Sequence, residues 1–135
     1  MIPASELEIL RSFNGHGRIV LSAYLCLDTP ERRTKAYDEF VQHMQARLEE
    51  CGRSIECRKA IEEDMEIVGL YLRSNGHRRH PGLAIFSCAA ELFWRAYPLP
   101  VPIPTQVTVG SEFHLKPLLE ASKQPGLLTD CATGS

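Results

Sequence analysis

The chain has 135 residues, 44% of them apolar and 7% aromatic, and its 15 Lys and Arg stand against 17 Asp and Glu for a net charge of −2. This is the profile of one soluble globular domain, large enough to bury roughly two thirds of its unfolded surface. It excludes collagen-like, coiled-coil and wholly disordered chains, because nine Gly and nine Pro follow no period and charged residues stay at 24%.

No apolar run approaches the roughly 20 residues that span a bilayer, so no membrane partner is expected. The N-terminus has no basic segment followed by an apolar stretch, so the reading is of a cytoplasmic protein without a secretory signal. Cys26, Cys51, Cys57, Cys88 and Cys131 are odd in number and include no Cys-x-x-Cys pair. That pattern points to free thiols in a reducing compartment, with neither a disulfide framework nor a structural zinc site.

Ser5 followed three residues later by Glu8 forms a capping-box pattern, and Leu7, Leu10 and Phe13 then give one helical stripe. Residues 18–27 are dense in apolar and β-branched side chains and predict a central strand buried on both faces. Thr29-Pro30-Glu31 starts a helix with a cap, a proline in the first turn and an acid. The stripe Tyr37, Phe40, Val41, Met44, Leu48, Cys51 carries that helix to Gly52. A second long helix follows Ser54, with Ile61, Met65, Val68 and Leu72 inward, and ends at Ser74-Asn75-Gly76. The tight link predicts an antiparallel helical pair lying against the sheet. Residues 82–90 and 92–97 read as a hairpin around Glu91. The run 98–104 alternates proline with aliphatics, which predicts an extended crossing that no ladder runs through, with its aliphatics tucked down. A last strand over 105–109 and a helix beginning near Phe113 complete the domain. The expected architecture is an α/β (α+β) single layered domain over residues 1–121, a four-stranded mixed sheet flanked by helices in the order α-β-α-α-β-β-β-α. Residues 122–135 are expected to be a disordered tail.

Recognisable chemistry is sparse. Gly15-His16-Gly17 lacks the third glycine of a dinucleotide fingerprint and precedes a strand rather than a helix, and neither a phosphate-cradling Gly-rich loop nor a Gly-x-Ser-x-Gly elbow occurs. Glu62, Glu63, Asp64 and Glu66 could pair carboxylates, but neighbours on a helix diverge and a solvated face is the simpler reading. The most concentrated positive stretch is His77-Arg78-Arg79-His80, with Arg73 just before it. Guanidinium groups in a loop suit phosphate contacts, although they also suit a helix C-terminus. Arg53, with Arg58 and Lys59, is a second cationic patch. His77 and His80 lack further ligands, and no metal or cofactor is implied. Cys26 and Cys88 read as packing residues. Phe93, Trp94 and Tyr97 read as core, with a base-stacking face as the alternative.

Taken in succession, Ser22-Ala-Tyr-Leu-Cys-Leu-Asp28, Gly82-Leu-Ala-Ile-Phe86, Leu92-Phe-Trp-Arg-Ala-Tyr-Pro-Leu-Pro-Val101 and Phe113-His-Leu-Lys-Pro-Leu-Leu119 look like one known arrangement. The chain resembles the N-terminal domain of the bacterial relatives of archaeo-eukaryotic class-1 translation release factors and of the ribosome-rescue protein Pelota, over residues 5–121. The resemblance implies a domain that works near the ribosomal decoding centre. In that family a Gly-Gly-Gln motif in a second domain triggers peptide release; the motif is absent here, and the chain stops where that domain would begin, as in a cut-out or naturally short member. Where the release factors carry an Asn-Ile-Lys-Ser loop between their long helices, this chain has Cys51-Gly52-Arg53-Ser54. Of their Tyr-x-Cys-x-x-x-Phe segment only Phe113 is retained, with Val107 and Val109 at the other two positions.

The expectation is therefore a non-enzymatic, ribosome-associated module for termination, rescue or dormancy, without codon reading or peptide release on its own. Arg53, Arg73, His77, Arg78, Arg79 and His80 are its candidate contacts to ribosomal RNA, and other translation factors its further candidate partners. The alternative is a protein-interaction domain docking through the proline-rich segment and Phe93/Trp94.

Overall fold

The computed structural model describes residues 2–74 and 80–122, so the segment 75–79 and the expected tail beyond residue 122 lie outside the described residues. The elements run α1 (Ala4–Ser12), β1 (Val20–Cys26), α2 (Pro30–Glu50), α3 (Ile55–Arg73), β2 (Gly82–Cys88), β3 (Phe93–Leu99), β4 (Gln106–Gly110) and α4 (Lys116–Ser122), with a 3-10 turn over Ala89–Glu91. The α/β class and the order of elements are those read from the sequence. The four strands are arranged β3-β2-β1-β4.

The expected mixed sheet needs correction, because all three strand pairings are antiparallel. The cause is the helical pair. One crossover helix returns the chain for a parallel strand, whereas two helices carry it back once more and the next strand must run the opposite way. Tyr37 of α2 lies against Gly69 of α3, while Arg58 at the start of α3 reaches the Leu48 carbonyl near the end of α2. The two helices are therefore antiparallel, as expected.

All seven residues of β1 are buried, which fits its internal place in the sheet. Its side chains alternate between two cores. Leu21, Ala23, Leu25 and Leu27 join Leu83, Ile85 and Val107 beneath Phe40, Met44, Ile61 and Val68 of the helical pair. On the opposite face Tyr24, Ala84, Phe86 and Leu99 meet Leu10 of α1 and Leu118 and Ala121 of α4. The domain thus has three layers, with the sheet in the middle.

Thr29 caps α2 by accepting from the Arg32 amide, and Ser54 caps α3 by accepting from the Cys57 amide. The Ser5/Glu8 capping box does not form. Pro3 is the N-cap of α1, its carbonyl accepting from the Glu6 and Leu7 amides, and Ser5 lies within the helix. Glu6 instead fastens α1 to β3 through Arg95 and Tyr97.

The proline-rich crossing joins the two edges of the sheet at one end. It must cover about 14 Å, three strand spacings, and six extended residues reach about 19 Å. Leu99 and Ile103 are tucked into the core as expected. The ladder nevertheless includes Pro98, opposite Leu83; β3 is an edge strand, where the missing amide can face outward. A Cβ on Gly82 would stand 2.5 Å from the Val101 carbonyl oxygen, so the crossing can lie this close only because residue 82 is glycine. The last helix starts at Lys116 rather than near Phe113, because Phe113 is drawn into a ring cluster with Phe13 and Phe93 at centroid distances of 5.0 and 5.4 Å.

Candidate functional site

The most prominent feature is the tip of the helical pair. Cys51 ends α2, Gly52 turns the chain at φ +60°, and Ser54 starts α3. Cys51 and Cys57 are joined by a disulfide, with Cα atoms 5.7 Å apart. This corrects the expectation of free thiols throughout. A helix C-cap and the first turn of the next helix are forced together by a tight link, and the spacing of Cys51 and Cys57 across that link is the sequence signal for the bridge. Cys26 and Cys88 are free and buried, as expected for packing residues.

Arg53 is exposed inside the small ring that this bridge closes. Its guanidinium makes no hydrogen bond or ion pair with any described residue. Ile55 beside it is 79% exposed. The neighbouring arginines are engaged. Arg58 donates to the Leu48 carbonyl, and Arg47 joins the Val107 carbonyl of β4 to the Glu50 carboxylate. Arg53 is thus the available cation at the tip, with Lys59 exposed one turn along α3.

Arg73 lies at the other end of α3. Its guanidinium stacks 4.7 Å from the Tyr37 ring centroid and donates to the Tyr37 hydroxyl at 2.8 Å. His80 is half-buried just before β2. His77, Arg78 and Arg79 lie outside the described residues. The 19 residues of α3 separate Arg53 from Arg73 by about 30 Å, so these two arginines are not brought together. The exposed carboxylates of Glu62, Glu63 and Glu66 stand between them.

Asp64 departs from its expected place on that solvated face. It is 2% exposed and accepts from the Ser87 hydroxyl and the Ala89 amide, both at 2.8 Å. Burial pushes its carboxyl up to about 6, the two hydrogen bonds offsetting part of the effect. Helical spacing held the clue, since Asp64 falls three residues after Ile61 and four before Val68. Its role is to tie α3 to the end of β2.

Phe93 and Trp94 are half-buried on opposite faces of β3, Phe93 in the ring cluster and Trp94 against Tyr71 at 5.3 Å. No single face collects them for base stacking. A groove of about 430 Å³ beside the proline crossing is lined by Cys26, Arg32, Ile103 and Thr105 among others, with no acid or imidazole to activate the thiol. Among the described residues, no group of three or more His, Cys, Asp or Glu is arranged to hold a metal ion, and no helix is long and apolar enough to cross a membrane.

No known protein family matches the chain, and neither does any curated protein. Among solved structures, a chain described as "Archaeal protein" superposes on 87% of this one with a TM-score of 0.64 at 16% identity. At that identity the likeness is one of fold. The matched region spans about a third of that longer chain, 34% of its length.

Proposed function

We propose that this domain is a ribosome-associated module of translation-factor type, which contacts ribosomal RNA through the tip of its helical pair and releases no peptide on its own. The observation that carries this reading is the unengaged Arg53 guanidinium on the rigid turn between α2 and α3. That turn follows the first strand and joins two long helices, the connection in which the release-factor resemblance places its decoding loop. An arginine held there can fork onto phosphate oxygens. The residues at this position lack the amide and ammonium groups of the release-factor loop, so the contact proposed is to backbone phosphate rather than to a codon. Arg73 and the 77–80 segment supply a second, separate contact in this reading.

Co-sedimentation of the chain with bacterial ribosomes at low and moderate salt is the direct test. Binding should weaken steeply as salt rises, be displaced by a ligand of the ribosomal A site, and fall in Arg53→Glu. Undiminished binding by Arg53→Glu, or binding indifferent to salt, would remove the tip from the account.

A further inference from the structure

The bridge at the tip sits at the margin of the core, its two cysteines partly buried against the helix-side cluster rather than within it. Gly52, Arg53, Ser54 and Ile55 within its ring are all exposed. Besides the bridge, the ring is held by the packing of its two partly buried cysteines against the helix-side core and by terminal hydrogen bonds, among them Cys51 and Gly52 amides to the Leu48 and Glu49 carbonyls at 3.1 and 3.2 Å, Ser54 amide to the Cys51 carbonyl at 3.1 Å, and Cys57 amide to the Ser54 hydroxyl at 3.1 Å. Such bonds at solvent-exposed helix ends open readily. The side chains that bind α2 and α3 to the sheet, Phe40, Met44, Ile61 and Val68, lie outside the ring. Both bridged cysteines are half-buried, in contrast to the buried Cys26 and Cys88.

We propose that the Cys51–Cys57 bridge is a thiol-exchange site that sets the rigidity of the hairpin tip. Bridged, the tip is pre-organised to present Arg53 and Ile55; opened by a low-molecular-weight thiol, it loosens while the fold stays intact. The consequence for binding rests on the reading of the tip as the ribosome contact, whereas the exchange itself does not. In the first step a thiolate attacks the Cys51 sulfur, the Cys51–Cys57 bond breaks, and its electron pair leaves on Cys57, which takes up a proton. Cys57 is the better leaving group because it sits in the first turn of α3, where helix amides favour a thiolate. A second thiolate then attacks the external sulfur of the mixed disulfide, forming the small-molecule disulfide and releasing Cys51, which is protonated in turn. Two thiols are oxidised and the bridge gains two electrons.

The test uses the full chain. Trypsin cuts after Arg47, Arg53 and Arg58, so the bridged protein yields peptide 48–53 joined to peptide 54–58. In glutathione buffers of increasing reducing ratio, followed by alkylation, this linked pair should disappear while Trp94 fluorescence and cooperative melting persist. Amide exchange over 52–56 should then speed up on the order of tenfold or more, and ribosome binding should weaken several-fold, in the reduced chain and in Cys51→Ser/Cys57→Ser alike. Absence of the linked pair from oxidised protein overturns the proposal. So does a bridge that resists glutathione until the chain is unfolded, or an opened tip that exchanges at the bridged rate. Equal ribosome binding by both forms overturns the coupling to binding. If neither form binds ribosomes while the exchange behaves as stated, the thiol-exchange site stands and the ribosome reading falls.

Discussion

Asp64 is the residue at which the energetics of this domain are most exposed to pH. Its carboxyl ionises near 3.8 in an unfolded chain and near 6 in the folded one, so between those values the folded state holds an extra proton. Stability is therefore greatest below the unfolded value and falls as pH rises through the folded one. From pH 5 to pH 7 the loss attributable to this group is on the order of 1 kcal/mol. Thermal melts of wild type and Asp64→Asn at the two pH values isolate it; the wild type should lose more stability than the variant, and equal slopes would assign the carboxyl no such role. Gly82 offers a second test. An added methyl would meet the Val101 carbonyl at 2.5 Å, and a backbone atom pinned between prolines cannot step aside. Gly82→Ala should cost ~2 kcal/mol, read as a drop in Tm of roughly 5–8 °C. A Tm unchanged by the substitution would mean that the crossing can lift off the sheet. Neither role was legible at the level of residue type. Charge alone groups Asp64 with Glu62, Glu63 and Glu66, whereas its helical phase beside Ile61 and Val68 is the property that buries it. The close approach at Gly82 depends on a crossing that returns from the far edge of the sheet.

Elements are the most legible scale, and caps explain the starts of both long helices and the displaced start of α1. Thr29 and Ser54 each hold an amide three residues on, which is why both long helices begin where the sequence indicated. Ser5 matched the same pattern but lost to Pro3, whose fixed φ set the start of α1 two residues earlier than a Ser5 cap requires. Thr29→Ala and Ser54→Ala should each destabilise by ~1 kcal/mol, whereas Ser5→Ala, inside a helix that favours alanine, should stay within ~0.5 kcal/mol of wild type. Chemical denaturation of the three variants checks this. A cost at Ser5 equal to that at Thr29 would place the cap at Ser5 after all. The late start of α4 has a different origin. The His114 amide donates to the Ser22 hydroxyl of β1 and Phe113 is held among rings, and long-range partners of this kind cannot be read from a local window.

At the scale of the whole molecule, the antiparallel sheet and the placement of charge follow from the same helical pair. Because α2 and α3 run out and back, the turn carrying Arg53 is at one end of the domain and Arg73 is at the other, with the carboxylates of Glu62, Glu63 and Glu66 along the face between them. Sequence order suggests two basic patches, but the separation of Arg53 from Arg73 is set by the length of α3. Charges about 30 Å apart lie well beyond the ~10 Å screening length at 0.1 M salt, so under the proposed reading each would contact phosphates without sensing the other. Arg53→Glu should therefore weaken ribosome binding and shallow its salt dependence by about one counterion. Arg73→Glu should have the smaller effect, since that guanidinium is already stacked on Tyr37 and bonded to its hydroxyl. In the double variant the two losses should add to within ~0.5 kcal/mol. A coupling energy well above that would show that one end responds to what the other binds, and that the helical pair transmits the contact along its length instead of merely spacing two independent ones.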